Sequence, residues 1–278
     1  MDLNLLIQQA LKEDIGDGDH TSLACFPSKA IGNADLIAKA NGIIAGIDLA
    51  KTIIGIHDDK IQVKTFKKDG DLINKGDLIL QLHGSAQSIL SVERLVLNYM
   101  QRMSGIATQT KQIINIVKDT DVTILDTRKT TPGFREIEKW AVRIGGGSNH
   151  RFGLYDMIMI KDNHIDFSGS VCKAIVSVQN YLQKQNINLK IEVEVRNETE
   201  LNEVLKTGGI HRILFDNFIP VELKKVIQKV PTNIETEASG GITMETIKEY
   251  AETGVQFISV GALTHSYKSL DLSLKARF

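Results

Sequence analysis

From residue 122 onward, short apolar runs alternate with amphipathic stretches. The runs at 122–126, 157–160, 190–195, 212–215, 234–237 and 256–260 read as buried strands. Between and after them, 134–144, 170–184, 198–206, 220–229 and 243–252 carry apolar residues at helical spacing. Such alternation predicts a parallel sheet with crossover helices. Six strand–helix units fall short of a full eight-fold barrel. The expected architecture is therefore α/β, an open or incomplete barrel, with a doubly wound sheet as the alternative.

Before that half the pattern is different. Residues 1–14 form an amphipathic helical stretch, and 34–39, 60–66 and 77–82 alternate with a period of two, punctuated by glycines. This predicts an α+β sandwich domain with an antiparallel sheet and a helix over 47–56. A long helical stretch, 88–118, joins the halves, with a break expected at Ser104-Gly105. On it Arg94, Asn98 and Gln101 form a polar stripe. The expected division is an N-terminal sandwich and interface domain over 1–107, a barrel domain over 108–266 and a C-terminal tail over 267–278.

Composition narrows the function classes. The net charge of −1 gives no global field for nucleic acid or a membrane surface, so an anion site must be local. Aromatic residues at 5% are too sparse for a base-stacking surface. Two distant cysteines, Cys25 and Cys172, fit no metal or redox spacing and suit a reducing compartment. No signal peptide or membrane span is read, so the expected location is cytoplasmic.

The chemistry collects where the strand candidates end, the ligand side of such folds. After 122–126 come Thr127, Arg128 and Lys129, a fork and a point charge suited to anionic oxygen. After 157–160 comes Lys161, and Glu194 and Asp216 stand at the next two ends. Ser239-Gly240-Gly241 and Gly261-Ala262 offer free backbone N–H groups before helical stretches, a phosphate-binding arrangement. Gly145-Gly146-Gly147 leads to His150 and Arg151, suiting close backbone approach to a ligand or a mobile closing loop.

Several of these stretches together resemble the quinolinate phosphoribosyltransferase family. The matching segments are 13–21, 93–108, 126–133, 145–151 and 161–164, followed by Glu192-Val193-Glu194-Val195, Asp216-Asn217-Phe218, Ser239-Gly240-Gly241-Ile242 and 260–263. They cover nearly the whole chain in order. A sister group of molybdenum-associated ModD-type proteins shares part of the pattern. A non-catalytic sugar-phosphate-binding barrel is the alternative from another class.

The resemblance implies a decarboxylating transfer of phosphoribosyl from 5-phosphoribosyl 1-pyrophosphate to quinolinate, with Mg2+, in de novo NAD biosynthesis. It implies a homodimer or a hexamer of dimers, with Arg94 reaching the neighbouring subunit's site. Arg128, His150, Arg151 and Lys161 would lie at quinolinate or its surroundings, with Thr127 also among the substrate-binding residues. Lys129, Glu194 and Asp216 would face ribose, pyrophosphate and metal, the metal held largely through substrate and water. Ser239, Gly240, Gly241, Gly261 and Ala262 would hold the 5′-phosphate. Lys129, Lys161, Glu194 and Asp216 would form the catalytic set.

Overall fold

The structure, a computed structural model, describes residues 2–277. The chain forms two compact units. The first takes residues up to Lys111, Thr130–Gly146 and the segment from Leu263 onward. The second takes Gln112–Lys129 and Gly147–Ala262.

The first unit opens with α1 (Leu3–Ile15) and α2 (His20–Cys25), capped by the carboxylates of Asp2 and Asp19. Strands β1 (Ile31–Ala38), β2 (Gly42–Ile43), β3 (Gln62–Thr65), β4 (Leu72–Ile73) and β5 (Leu78–Ser85) follow, with α3 (Ile47–His57) after β2. The alternation at 34–39, 60–66 and 77–82 becomes an antiparallel sheet with β5 between β1 and β3. Ala34, Leu36 and Ala38 of β1 are buried and the residues between them less so, the period of a half-buried strand. Strand Leu272–Arg277, from the C-terminal tail, pairs antiparallel with the other side of β1.

Helix α4 (Ala86–Ile116) is continuous, so the break expected at Ser104-Gly105 is absent. The buried Ser104 hydroxyl instead accepts the Ala45 N–H at 2.9 Å. A side chain on Gly105 would come within 2.3 Å of the Lys268 carbonyl oxygen. The pair marks where other backbone meets the helix, and that approach outweighs the roughly 1 kcal/mol cost of an interior glycine. The polar stripe also divides. Arg94 and Asn98 are exposed, whereas the Gln101 side chain donates to the Leu272 carbonyl at 2.9 Å.

Helix α5 (Arg135–Ile144) belongs to the same unit. Arg102 lies over the rings of Phe134 and Tyr267, 5.2 and 4.9 Å from their centroids, and its Nε donates to the buried Glu138 at 3.0 Å. Glu138 also accepts the Thr131 N–H at 3.1 Å, which ties down the turn just beyond Lys129.

The second unit contains β6 (Thr123–Leu125), β7 (Ile158–Ile160), β8 (Ile191–Val195), β9 (Arg212–Asp216), β10 (Glu235–Ser239) and β11 (Phe257–Ser259). They form one parallel sheet in the order β6-β11-β10-β9-β8-β7. The chain runs in sequence from β7 to β11 and the sheet then returns to β6. This is barrel order with one pair left open, β6 with β7. A doubly wound sheet reverses direction at a switch point, and this one does not.

Residues 148–151 occupy the flank where β6 has no partner strand. Ser148 N–H donates to the Ile124 carbonyl at 2.8 Å, and Asp126 N–H donates to the Ser148 carbonyl at 3.2 Å. Arg151 Nη1 then donates to the Met157 carbonyl at 3.2 Å, just before β7.

Helices α6 (Asp162–Ser168), α7 (Val171–Gln185), α8 (Glu198–Thr207), α9 (Pro220–Val226, continued by a 3-10 turn, Ile227–Lys229) and α10 (Ile247–Ala251) follow the strands. The phase of the strands that carries Ile160, Val193, Val195, Ile213, Phe215, Ala238 and Ile258 is buried. Full burial of such side chains contributes about 1.5–3 kcal/mol each. No helix among the described residues is long and apolar enough to cross a membrane.

Candidate active site

Side chains on a strand alternate between two faces, so register decides which polar groups meet. Arg212 is level with Glu192 on one side and Glu235 on the other. Two residues further along the same face lie Glu194, Leu214, Glu237 and Phe257. Asp216 and Ser239 follow, again level with each other. β7 pairs Ile160 with Val193, so the next residues along, Lys161 and Glu194, also come level. The face opposite the apolar core therefore carries charge at three successive levels. Lys161, Glu194 and Asp216 gather in a rim at the strand ends, and Glu192, Arg212 and Glu237 gather with His150 in a floor inside the barrel.

At the rim, Lys161 Nζ donates to Glu194 Oε2 at 2.6 Å. Asp216 Oδ2 accepts from Asn217 Nδ2 at 2.7 Å. Asn217 is left-handed, φ 57°, and its N–H donates to the Ser239 carbonyl at 2.9 Å. That fold of the chain brings Asn217 against Gly240, φ 95°, where a β-carbon would lie 2.3 Å from Asn217 Oδ1. Glycine is required there on both counts. Helix α10 begins only at Ile247, and the helix at Ala262–His265 has four residues. The helix openings expected directly after the two glycine turns are thus absent or minimal. Gly240-Gly241 is loop backbone following the strand end at Ser239, and Gly261 precedes a single helical turn that starts at Ala262.

On the β6 side, Thr127 Oγ1 accepts the Lys129 N–H at 3.0 Å, which turns the chain just past the strand and leaves Arg128 and Lys129 exposed. Arg151 is half-buried, and burial together with the charge of Arg128 holds its pKa below the usual arginine value. Two guanidinium groups close enough to repel stabilise a bound anion between them. Arg94 is exposed on α4 and belongs to the first unit.

His150 does not face the rim. Its side chain is only 5% exposed and turns to the floor, with Nε2 3.1 Å from Glu192 Oε2 and 3.4 Å from Glu237 Oε2. Both glutamates are fully buried. Arg212 Nη1 donates to Glu237 Oε2 at 2.8 Å. Both Glu192 oxygens accept no well-aligned hydrogen bond. Burial and the charge of Glu237 raise the Glu192 pKa to about 7. Burial works in the same direction on Glu237, but His150 and Arg212 hold it below the ordinary value.

Burial opposes charge on His150, yet the two carboxylates draw its pKa up to about 9. Against a charged ring, Nδ1 accepts the Arg151 N–H at 2.7 Å, which a protonated Nδ1 could not do. The groups titrate as one cluster. The bond at Nδ1 fixes the Nε2–H form, whose hydrogen faces the two glutamates.

His150, Glu192 and Glu237 each offer a donor atom within 4.8 Å of the others, a grouping that could hold a metal. The bond at Nδ1 argues against that use, because a metal needs the Nε2 lone pair and a histidine ligand donates from its other nitrogen. Sequence reading missed Asp126, Glu192, Arg212 and Glu237. The available signal was the phase of the acids, since Glu192 must share a face with Glu194, and Glu237 with Glu235.

Comparison with known proteins places the whole chain. Residues 19–104 match the family described as quinolinate phosphoribosyl transferase, N-terminal domain, and 106–275 match its C-terminal domain. A probable nicotinate-nucleotide pyrophosphorylase [carboxylating] of Bacillus subtilis (strain 168) is 46% identical over 274 residues, 99% of this chain and 93% of that one. The chloroplastic nicotinate-nucleotide pyrophosphorylase [carboxylating] of Arabidopsis thaliana is 45% identical over 289 residues, 99% of this chain and 82% of that one. The crystal structure of NadC from Streptococcus pyogenes superposes with a TM-score of 0.92 at 38% identity, covering 97% of this chain and 94% of that chain. With both domain families matched in order, the chain belongs to the quinolinate phosphoribosyl transferase family.

Proposed function

We propose that the protein transfers phosphoribosyl from 5-phosphoribosyl 1-pyrophosphate to quinolinate, yielding nicotinate mononucleotide, pyrophosphate and CO2, in de novo NAD biosynthesis. The observation that carries this reading is the match of both domains of the family along the chain, with Arg128, Arg151 and Lys161 placed at the end of the barrel where strands β6 and β7 stop. A ligand with two carboxylates suits that set of cations. Each charge-assisted hydrogen bond contributes about 1.5–3 kcal/mol. Thr127, Arg128, Arg151 and Lys161 surround quinolinate in this reading, above His150.

Lys129, Glu194 and Asp216 face ribose and pyrophosphate. As pyrophosphate leaves, the ribose takes on oxocarbenium character, which the Glu194 and Asp216 carboxylates stabilise. Lys161, paired with Glu194 at 2.6 Å, orients that carboxylate while its half-exposed ammonium remains within reach of the incoming anion. Backbone N–H groups of Ser239, Gly240, Gly241, Gly261 and Ala262 hold the 5′-phosphate. Glu194 and Asp216 are hard oxygen donors on adjacent strands, a set that fits Mg2+ carried mainly by substrate phosphates and water. When bound, the ion offsets the charge of the departing pyrophosphate.

The active unit in this reading is a homodimer, or a hexamer of dimers, with Arg94 completing the neighbouring site. Two free, exposed cysteines suit the reducing cytoplasm. The test is incubation of purified protein with phosphoribosyl pyrophosphate and Mg2+, with either quinolinate or nicotinate. Nicotinate mononucleotide should form from quinolinate with kcat/KM at least about 100-fold above that for nicotinate, which leaves cations unpaired. Equal use of the two pyridines would refute the assignment.

A further inference from the structure

The floor of the barrel contains more charge than packing calls for. Barrel interiors are ordinarily filled by Val, Ile and Leu in layers. Here Glu192, Glu237 and Arg212 take such places. Buried ion pairs are often no better for stability than apolar residues of the same volume. Their arrangement instead converges on one imidazole.

That imidazole sits in the segment spanning the open pair of strands. Three interactions fix His150 from three directions. Its N–H donates to Asp126 Oδ1 at 2.9 Å, its Nδ1 accepts the Arg151 N–H at 2.7 Å, and its Nε2 faces Glu192 and Glu237 at 3.1 and 3.4 Å. Asn149 reinforces the first by donating to the other Asp126 oxygen. The segment enters through Gly145-Gly146-Gly147 and so has little stiffness of its own. Arg151 is the next residue, and its backbone direction follows from the ring of His150.

We propose that Glu192 and Glu237 are positioning residues: acting through His150, they hold residues 148–151 across the gap between β6 and β7 and so aim Arg151 at the rim. The role of Arg151 toward quinolinate rests on the function proposed above. The tether itself does not. Ser259 and Arg212 support Glu237 from the neighbouring strands, so the anchor belongs to the sheet rather than the loop.

The experiment uses the full chain carrying Glu192→Gln or Glu237→Gln. Hydrogen–deuterium exchange is followed at the amides of 149–151, alongside the KM values for quinolinate and phosphoribosyl pyrophosphate. The tether requires exchange at 149–151 to quicken at least about tenfold while β9 and β10 stay protected. It also requires the quinolinate KM to rise about tenfold, with the phosphoribosyl pyrophosphate KM within about twofold. On an Arg151→Ala background the same change should add less than about twofold, because the residue being aimed is gone. Unchanged exchange at 149–151 overturns the proposal, as do two KM values that rise together. Should an amide variant fail to fold, Glu192→Asp keeps the charge, withdraws it from Nε2, and carries the same expectations. Faster exchange in a protein whose wild type does not use quinolinate would leave the tether standing and remove only the substrate assignment.

Discussion

Glu192 and Glu194 lie two residues apart on β8 and point the same way, yet they live under different physics. Glu194 meets Lys161 at 2.6 Å where ligand and water can reach the pair. Glu192 lies wholly within the barrel, where burial and a second carboxylate raise its pKa to about 7. The same contrast separates rim from floor. At the rim the cations are open to solvent, whereas the floor groups are enclosed and face one another. A charged residue in this barrel is thus interpreted by its partners and burial as much as by type.

The strongest way to break the comparison is to remove rim charge. Arg128→Ala and Arg151→Ala should each lower kcat/KM for quinolinate by roughly 30- to 5000-fold, the equivalent of about 2–5 kcal/mol for one partner of a desolvated pair. The melting temperature should hardly move, since neither side chain is fully buried. Unchanged quinolinate kinetics in both variants would show that the rim cations serve another ligand.

A second test asks whether the rim is complete within one chain. Arg94→Ala subunits mixed with Lys161→Ala subunits should regain about a quarter of wild-type activity if Arg94 acts in the neighbouring copy. Half the dimers are then mixed, and each mixed dimer has one intact site. Two distinct affinity tags would verify subunit exchange. Activity that stays at background despite exchange would return Arg94 to its own subunit.

The smallest effect belongs to the floor and appears in stability. Glu192 is raised from 4.5 to about 7. The folded value exceeds the unfolded one, so folding takes up a proton in this window. The stability it contributes is full below the unfolded value and is lost as pH rises through the folded one. Glu237, held low, loses its contribution only below pH 4.5. Melting temperature should fall by a few degrees between pH 5 and 9 in the wild type and by less in Glu192→Gln. Parallel curves would show that the cluster does not take up a proton on folding.

The rim was legible in sequence because it lies where an apolar run stops, and a polar residue there has a known place. Lys161, Glu194 and Asp216 come together as strand order and phase demand. The floor was harder to see because Glu192 and Glu237 lie inside runs that look like strands, and their partner His150 comes from a distant stretch. The contacts of His150 with Glu192 and Glu237, and the bond from the next backbone N–H that orients its ring, had no counterpart in the sequence pattern. Helix α6 escaped notice because Asp162-Asn163-His164 shows no apolar stripe, although His164 Nδ1 accepts the Lys161 N–H and so starts the turn. Arg102 gave no signal either. Its partners, Glu138 and Tyr267, are adjacent only in the folded chain.

The missing pair in the sheet has one more consequence. In a closed barrel every strand is indexed to two neighbours by backbone ladders, so the spacing between opposite walls changes only when a register slips, and a slip reverses every side chain. Here β6, whose end leads into Arg128 and Lys129, and β7, which leads into Lys161, each have one flank without a partner strand. Those two walls are joined the long way round by the ladders of the four strands between them, and across the open side by residues 148–151 alone, through backbone bonds to β6 and the Arg151 guanidinium on the Met157 carbonyl.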